Sequence, residues 1–140
     1  MAAGAVEPEA GSVVGILRIG AHRGAMAHAP ENTLAAFDKA IEFGTYRIEF
    51  DLRRTRDGHL VVIHDAKVDR TTDGEGLVCD MDLVALQELR SGAEQIPTFA
   101  ETIDCMDGRS RMLVELKDED IAEQAVRQIE AAGVVDQCTL

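Results

Sequence analysis

Hydrophobic and polar positions fall into short blocks along the chain. Ile48-Glu49-Phe50-Asp51-Leu52 alternates apolar with acidic, the period of a β-strand. Side chains at i and i+2 leave a strand on the same side, so Glu49 and Asp51 share one face. Three further apolar runs have strand length: residues 13–21, ending in His22-Arg23-Gly24; residues 60–63, ending in His64-Asp65; and residues 111–114, ending in Glu115-Leu116-Lys117. Thr139-Leu140 begins a fifth. Between the strands the period changes. A helix is predicted from near Asn32, with Leu34, Phe37 and Ile41 on one face and Gly44 as its stop. A short helix is expected near residues 83–89. Thr98-Phe99-Ala100-Glu101 has the form of a capping box that opens another. A last helix is expected over residues 118–132, with Ala122, Val126 and Ile129 inward and Gly133 as its stop. Arg56-Asp57-Gly58 signals a turn, and residues 1–12, small and acidic, read as a flexible terminus.

Strands alternating with helices imply βαβ units and a parallel sheet. In such sheets ligand groups collect at the carboxyl ends of the strands. Each apolar run here hands over at that end to residues capable of chemistry: His22-Arg23, Glu49 and Asp51, His64-Asp65, Glu115 and Lys117. A merely solvated surface would place charge at both ends without preference.

Charge sharpens this picture. The 140 residues carry 14 Lys and Arg against 26 Asp and Glu, a formal net charge of −12. That field repels nucleic acid and anionic membranes at long range, and aromatics at 4% with no Trp offer few stacking platforms. An anionic substrate would need local positive charge or a bound cation. Glu49, Asp51 and Glu115 supply three carboxylates and no soft ligand, the set for a hard divalent cation, Mg²⁺ or Ca²⁺. His22 and His64 close apolar strands, whereas His28 and His59 lie in polar loops; two imidazoles beside a cation can take one proton and give another. Arg23 can grip a phosphate bidentately. Together with Lys117 the set suits phosphoryl transfer, in which several anionic oxygens are neutralised around a displacement. Cys79, Cys105 and Cys138 are odd in number and widely spaced, so neither a disulfide framework nor a zinc site is indicated. With no evident signal peptide and no apolar stretch long enough to span a bilayer, a soluble cytoplasmic protein is expected.

His22-Arg23-Gly24, Pro30-Glu31-Asn32-Thr33, Glu49-Phe50-Asp51, Asp57-Gly58, His64-Asp65, Arg70-Thr71-Thr72 and Glu115-Leu116-Lys117 resemble, in order and approximate spacing, the motifs of the glycerophosphodiester phosphodiesterase family. The resemblance runs from about Ile19 to the last residue. It implies an α/β fold of the parallel (β/α)₈ TIM-barrel type, with a small insertion at about residues 69–95 within a domain over 13–140. It implies that Glu49, Asp51 and Glu115 bind the divalent cation, that His22 and His64 are the general acid–base pair, and that Arg23 and Lys117 contact the substrate phosphate. The implied substrates are small glycerophosphodiesters such as glycerophosphocholine, split into an alcohol and glycerol 3-phosphate. A lysophospholipase D-type activity and a non-catalytic interaction module are the alternatives. A (β/α)₈ barrel typically takes about 250 residues, so the expected content is the N-terminal half, about four βα units of a longer or truncated enzyme. Tyr46-Arg47 stand where relatives usually carry a small residue and an acid.

Overall fold

The computed structural model describes residues 17–140. The acidic terminus and residues 13–16 of the first apolar run lie outside the described residues. In chain order the elements are β1 (Gly20–His22), α1 (Leu34–Glu42), β2 (Arg47–Arg54), β3 (Leu60–Val62), α2 (Leu83–Glu88), α3 (Phe99–Met106), β4 (Arg111–Leu116), α4 (Ala122–Ala132) and β5 (Cys138–Thr139), with 3₁₀ turns at Val78–Asp80 and Val135–Gln137.

Four strands form a parallel ladder in the order β1-β2-β4-β5. Parallel neighbours need long crossovers, and helices fill them. Helices α1, α3 and α4 cover one face of the sheet. Ile48, Phe50 and Leu52 of β2 and Met112 and Val114 of β4 pack there against Phe37 of α1, Phe99 and Ile103 of α3 and Ile129 of α4. By the two-residue period, Glu49, Asp51 and Glu115 must then project from the opposite face. The core thus fixes where the acids point.

Helix ends follow their local signals. The Thr33 hydroxyl accepts the Ala36 N–H at 3.2 Å to start α1, and Gly44, at φ +69°, follows its end. Thr98 and Glu101 form both halves of the capping box on α3. Gly133 closes α4 in the left-handed conformation, which an L side chain resists.

Three expectations are corrected. Within the described part of the first apolar run, strand begins at Gly20, and Leu17 and Ile19 are 87% and 63% exposed. Hydrophobicity buries a residue only where another element covers it, and among the described residues β1 pairs along one edge alone. In α4 the inward face is Ile121, Ala125 and Ile129, spaced i, i+4, i+8, with Ala122 and Val126 exposed; the helix begins at Ala122 rather than 118, which rotates the buried stripe by one residue. Lastly, β3 runs antiparallel to β2, with Leu52 opposite Val62 and Arg54 opposite Leu60. Residues 55–59 are too few for a parallel crossover; they turn through Gly58 at φ +89° and make a hairpin.

Val61, Ile63, Val68, Val78, Leu86 and Ile96 form a second, smaller core beneath the long segment after β3. No helix among the described residues is long and apolar enough to cross a membrane.

Candidate active site

The two edges of β2 decide how the site assembles. β4 pairs with one edge over residues 47–52. β1 and β3 share the other, β1 opposite residues 47–49 and β3 opposite residues 52–54. Since β1 and β3 run in opposite senses, their carboxyl ends converge on the stretch between. The Arg23 N–H donates to the Glu49 carbonyl at 2.9 Å and the Ile63 N–H to the Asp51 carbonyl at 3.1 Å. His22 and His64 are therefore carried toward the same part of β2 from opposite directions. Arg53 holds the returning chain: its Nε donates to the His64 carbonyl at 2.9 Å and its Nη1 to Asp118 at 2.8 Å.

Alternation puts Glu49 and Asp51 on one face, and the register of β4 against β2 brings Glu115 beside them. Asp51 and Glu115 are direct cross-strand partners, and each of the three residues offers a carboxylate oxygen within 4.8 Å of the others. Asp51 is fully buried. Its Oδ2 accepts from Asn32 Nδ2 at 2.9 Å and lies 3.4 Å from Arg23 Nε. Burial first, and the charge of Asp51 next, push the Glu49 carboxyl above its usual pKa. The Arg23 N–H, 3.1 Å from Glu49 Oε2, and His22 Nε2, 3.7 Å from it, oppose that rise only in part.

These residues fit a divalent cation. The acids already draw an ammonium between them: Lys117 Nζ lies 2.6 Å from Glu115 Oε1 and 3.2 Å from Asp51 Oδ1. Burial alone would lower the Lys117 pKa, but the two carboxylates outweigh it and hold the value above normal. Arg23 Nε, Asn32 Oδ1 and Asp51 Oδ1 are buried at this site and make no well-aligned hydrogen bond, although the first and last each face an opposite charge. Unsatisfied buried polar atoms cost free energy and are rare away from sites that take a ligand. The donor set is all oxygen, the preference of Mg²⁺ and Ca²⁺ rather than of a soft metal.

His64 is the more constrained imidazole. Its Nδ1 lies 2.7 Å from Asp65 Oδ1. Hydrogen bonds from Arg70, then the one with His64, hold the Asp65 carboxyl well below the usual range. An ionised carboxylate only accepts, so this contact calls for an N–H at Nδ1. His22 is 61% exposed at its side chain and open to a substrate.

All seven residues singled out in the sequence come to the carboxyl end of the ladder. Glu31, Asn32, Asp65 and Arg70 had no role assigned, although each lay within a quoted motif. Asn32 could have been noticed, since Thr33 already caps α1 and leaves it no local task. A concavity of about 820 Å³ lies beside the outer edge of β1 and is lined by apolar groups such as Leu17, Ile19, Met26 and Phe43. None of the three acids lines it.

Comparison with known proteins agrees. The Glycerophosphoryl diester phosphodiesterase family matches residues 22–136. A glycerophosphodiester phosphodiesterase from Caldanaerobacter subterraneus is 44% identical over 106 residues, covering 69% of this chain and 44% of that protein. Human glycerophosphodiester phosphodiesterase 1 is 38% identical over 108 residues, covering 69% and 33%. Among solved structures, a glycerophosphodiester phosphodiesterase from Agrobacterium tumefaciens superposes with a TM-score of 0.83 at 36% identity, covering 88% of this chain and 56% of that one. An Oleispira antarctica phosphodiesterase, solved with the product sn-glycerol-3-phosphate, gives 0.75 at 33% identity, covering 84% and 52%. The chain thus spans less than half the length of these curated relatives and about half of the solved chains. Its parallel α/β ladder is the corresponding part of their TIM-barrel fold. The match extends over most of the chain and takes in every strand-end residue described above, so the chain belongs to the glycerophosphoryl diester phosphodiesterase family.

Proposed function

We propose that the protein hydrolyses glycerophosphodiesters such as glycerophosphocholine to an alcohol and glycerol 3-phosphate. The observation that carries this reading is the convergence of three carboxylates within 4.8 Å of one another, flanked by His22 and His64 on one edge of β2. The product named for the Oleispira relative is one half of the substrate proposed here.

Glu49, Asp51 and Glu115 would hold Mg²⁺ or Ca²⁺, which as a Lewis acid would polarise a phosphoryl oxygen and ease deprotonation of the attacking water. His64 takes that proton at Nε2, the nitrogen opposite its contact with Asp65. His22 gives a proton to the oxygen of the departing alcohol, so charge does not accumulate on either oxygen. Arg23 and Lys117 neutralise the non-bridging phosphate oxygens, an orienting task that suits a protein of net charge −12. Their present partners are carboxylates, so positive charge is already stored beside the acids.

The test is release of glycerol 3-phosphate from glycerophosphocholine, with and without a chelator. Turnover lost to the chelator and restored by Mg²⁺ or Ca²⁺ is expected. His22→Ala and His64→Ala should each lower the rate by roughly 10²–10⁴-fold. No release by the native protein, or release indifferent to the chelator and to both substitutions, would overturn the reading.

A further inference from the structure

Arg70 lies in the segment after β3, away from the acid cluster, and has no part in the steps above. Its planar guanidinium donates from two edges. Along one, Nε reaches Asp65 Oδ2 at 2.6 Å and Nη2 reaches Asp65 Oδ1 at 3.0 Å. Along the other, Nη1 reaches Glu31 Oε2 at 3.0 Å and Nη2 reaches Glu31 Oε1 at 2.8 Å. Asp65 and Glu31 stand on different connections, one after β3 and one between β1 and α1. Each carboxylate has a second task. Asp65 Oδ1 faces His64 Nδ1 at 2.7 Å, and Glu31 Oε1 accepts from Arg23 Nη1 at 3.1 Å.

We propose that Arg70 is a positioning residue that sets His64 and Arg23 in one working arrangement, acting on the histidine through Asp65 and on the arginine through Glu31. The inference rests on the hydrolase reading for the roles of those two residues, but its geometry does not. A rigid two-edged fork fixes both carboxylates in its own plane. Held in that way, Asp65 keeps the Nδ1–H tautomer of His64 and aims Nε2 at the substrate. Released, Asp65 can rotate toward solvent and the imidazole can take either tautomer. Ordinary exposed ion pairs stabilise little, and the Arg70 side chain is 49% exposed. A doubly bidentate pair at such a place orients its partners more than it stabilises the fold. Lysine cannot substitute, because a single ammonium has no second edge.

The experiment uses the full chain with ¹⁵N-labelled histidine, free of metal and substrate. Long-range ¹H–¹⁵N correlation spectra report the tautomer of His64, identified by the resonances lost in His64→Gln. The native protein should show the Nδ1–H form alone, whereas Arg70→Met, Arg70→Lys and Asp65→Asn should show exchange between tautomers. In glycerophosphocholine hydrolysis, Arg70→Met should lower kcat by roughly 10- to 100-fold and raise KM. Combined with Asp65→Asn, it should lower kcat no further than Asp65→Asn alone, because both act through one imidazole. Glu31→Gln should raise KM with the His64 tautomer unchanged. A His64 that keeps the Nδ1–H form in folded Arg70→Met overturns the proposal, as does native kcat in Arg70→Lys; should the methionine variant not fold, the lysine variant decides by both readouts. The spectra need no turnover. An inactive native protein would refute the hydrolase reading and leave the tautomer to judge Arg70.

Discussion

Arg23 and Asn32 adopt φ of 55° and 56°, the left-handed region that residues other than glycine rarely enter. Both lie against Asp51, and the Asn32 N–H closes the loop by donating to the Arg23 carbonyl at 3.0 Å. Gly24 follows at φ +83°, where a Cβ would come within 2.7 Å of the Ala36 Cβ, so the loop packs on α1 as closely as atoms allow. Strained backbone of this kind persists where the surroundings hold it and is common at functional sites. Asparagine is among the few residues that tolerate it, and here its side chain also donates to the buried Asp51 carboxylate. The two contributions can be separated. Asn32→Gly should lose only the hydrogen bond, about 1.5–3 kcal/mol for a charged acceptor. Asn32→Ala should lose a further ~1–2 kcal/mol of backbone strain. Chemical denaturation of the two variants measures the gap, and equal stability would show that the loop relaxes when the bond is absent.

Strand pairing carries the two histidines to one edge of β2, and two connections are tied together beside them. One follows β1 and the other follows β3, and Arg70 joins them through Glu31 and Asp65. Hydrogen bonds from Arg70 are the leading reason that both acids sit below their ordinary pKa. A carboxyl depressed in the folded state contributes stability above its unfolded pKa, about 4 for these side chains. The contribution is lost as pH falls through the folded value. Thermal unfolding of the native protein and of Arg70→Met should therefore differ by a constant Tm gap between pH 5 and 8, closing progressively below about pH 4. A gap unchanged in acid would mean that it does not arise from pairing with the ionised carboxylates. At this scale the sequence was readable wherever the signal is local. The capping box, the glycine stops and the 56–58 turn were all visible. The antiparallel sense of β3 was contained in that same turn, yet strand–helix alternation elsewhere suggested a parallel strand. His64 consequently reaches the site by doubling back rather than by ending a parallel strand.

Across the whole molecule, acids from two strands are gathered in a protein of net charge −12. A cation bound only by the folded state stabilises by RT ln(1 + [L]/Kd), about 2.7 kcal/mol at a hundredfold excess over Kd. Mg²⁺ or Ca²⁺ should accordingly raise Tm by several degrees. Sodium chloride at equal ionic strength screens the general repulsion without entering the site, and should do much less. Glu49→Gln and Asp51→Asn should abolish the excess shift. A divalent effect no larger than that of sodium, measured by thermal unfolding, would deny a cation site at these acids.

Sequence by itself determined which polar side chains gather at the strand ends, because strand period and position fix which side chains share a face and which close a strand. It also determined most element boundaries, through caps, glycine stops and turns that act over a few residues. Tertiary structure decided what depends on contact between distant segments: the edge of β2 that β1 and β3 share, the exposure of Leu17 and Ile19, the buried stripe of α4, and the joining of Glu31 to Asp65 by Arg70. The physical reason is range. Backbone conformation and periodicity are set by neighbours along the chain, whereas burial and ion pairing are set by whatever the fold brings alongside.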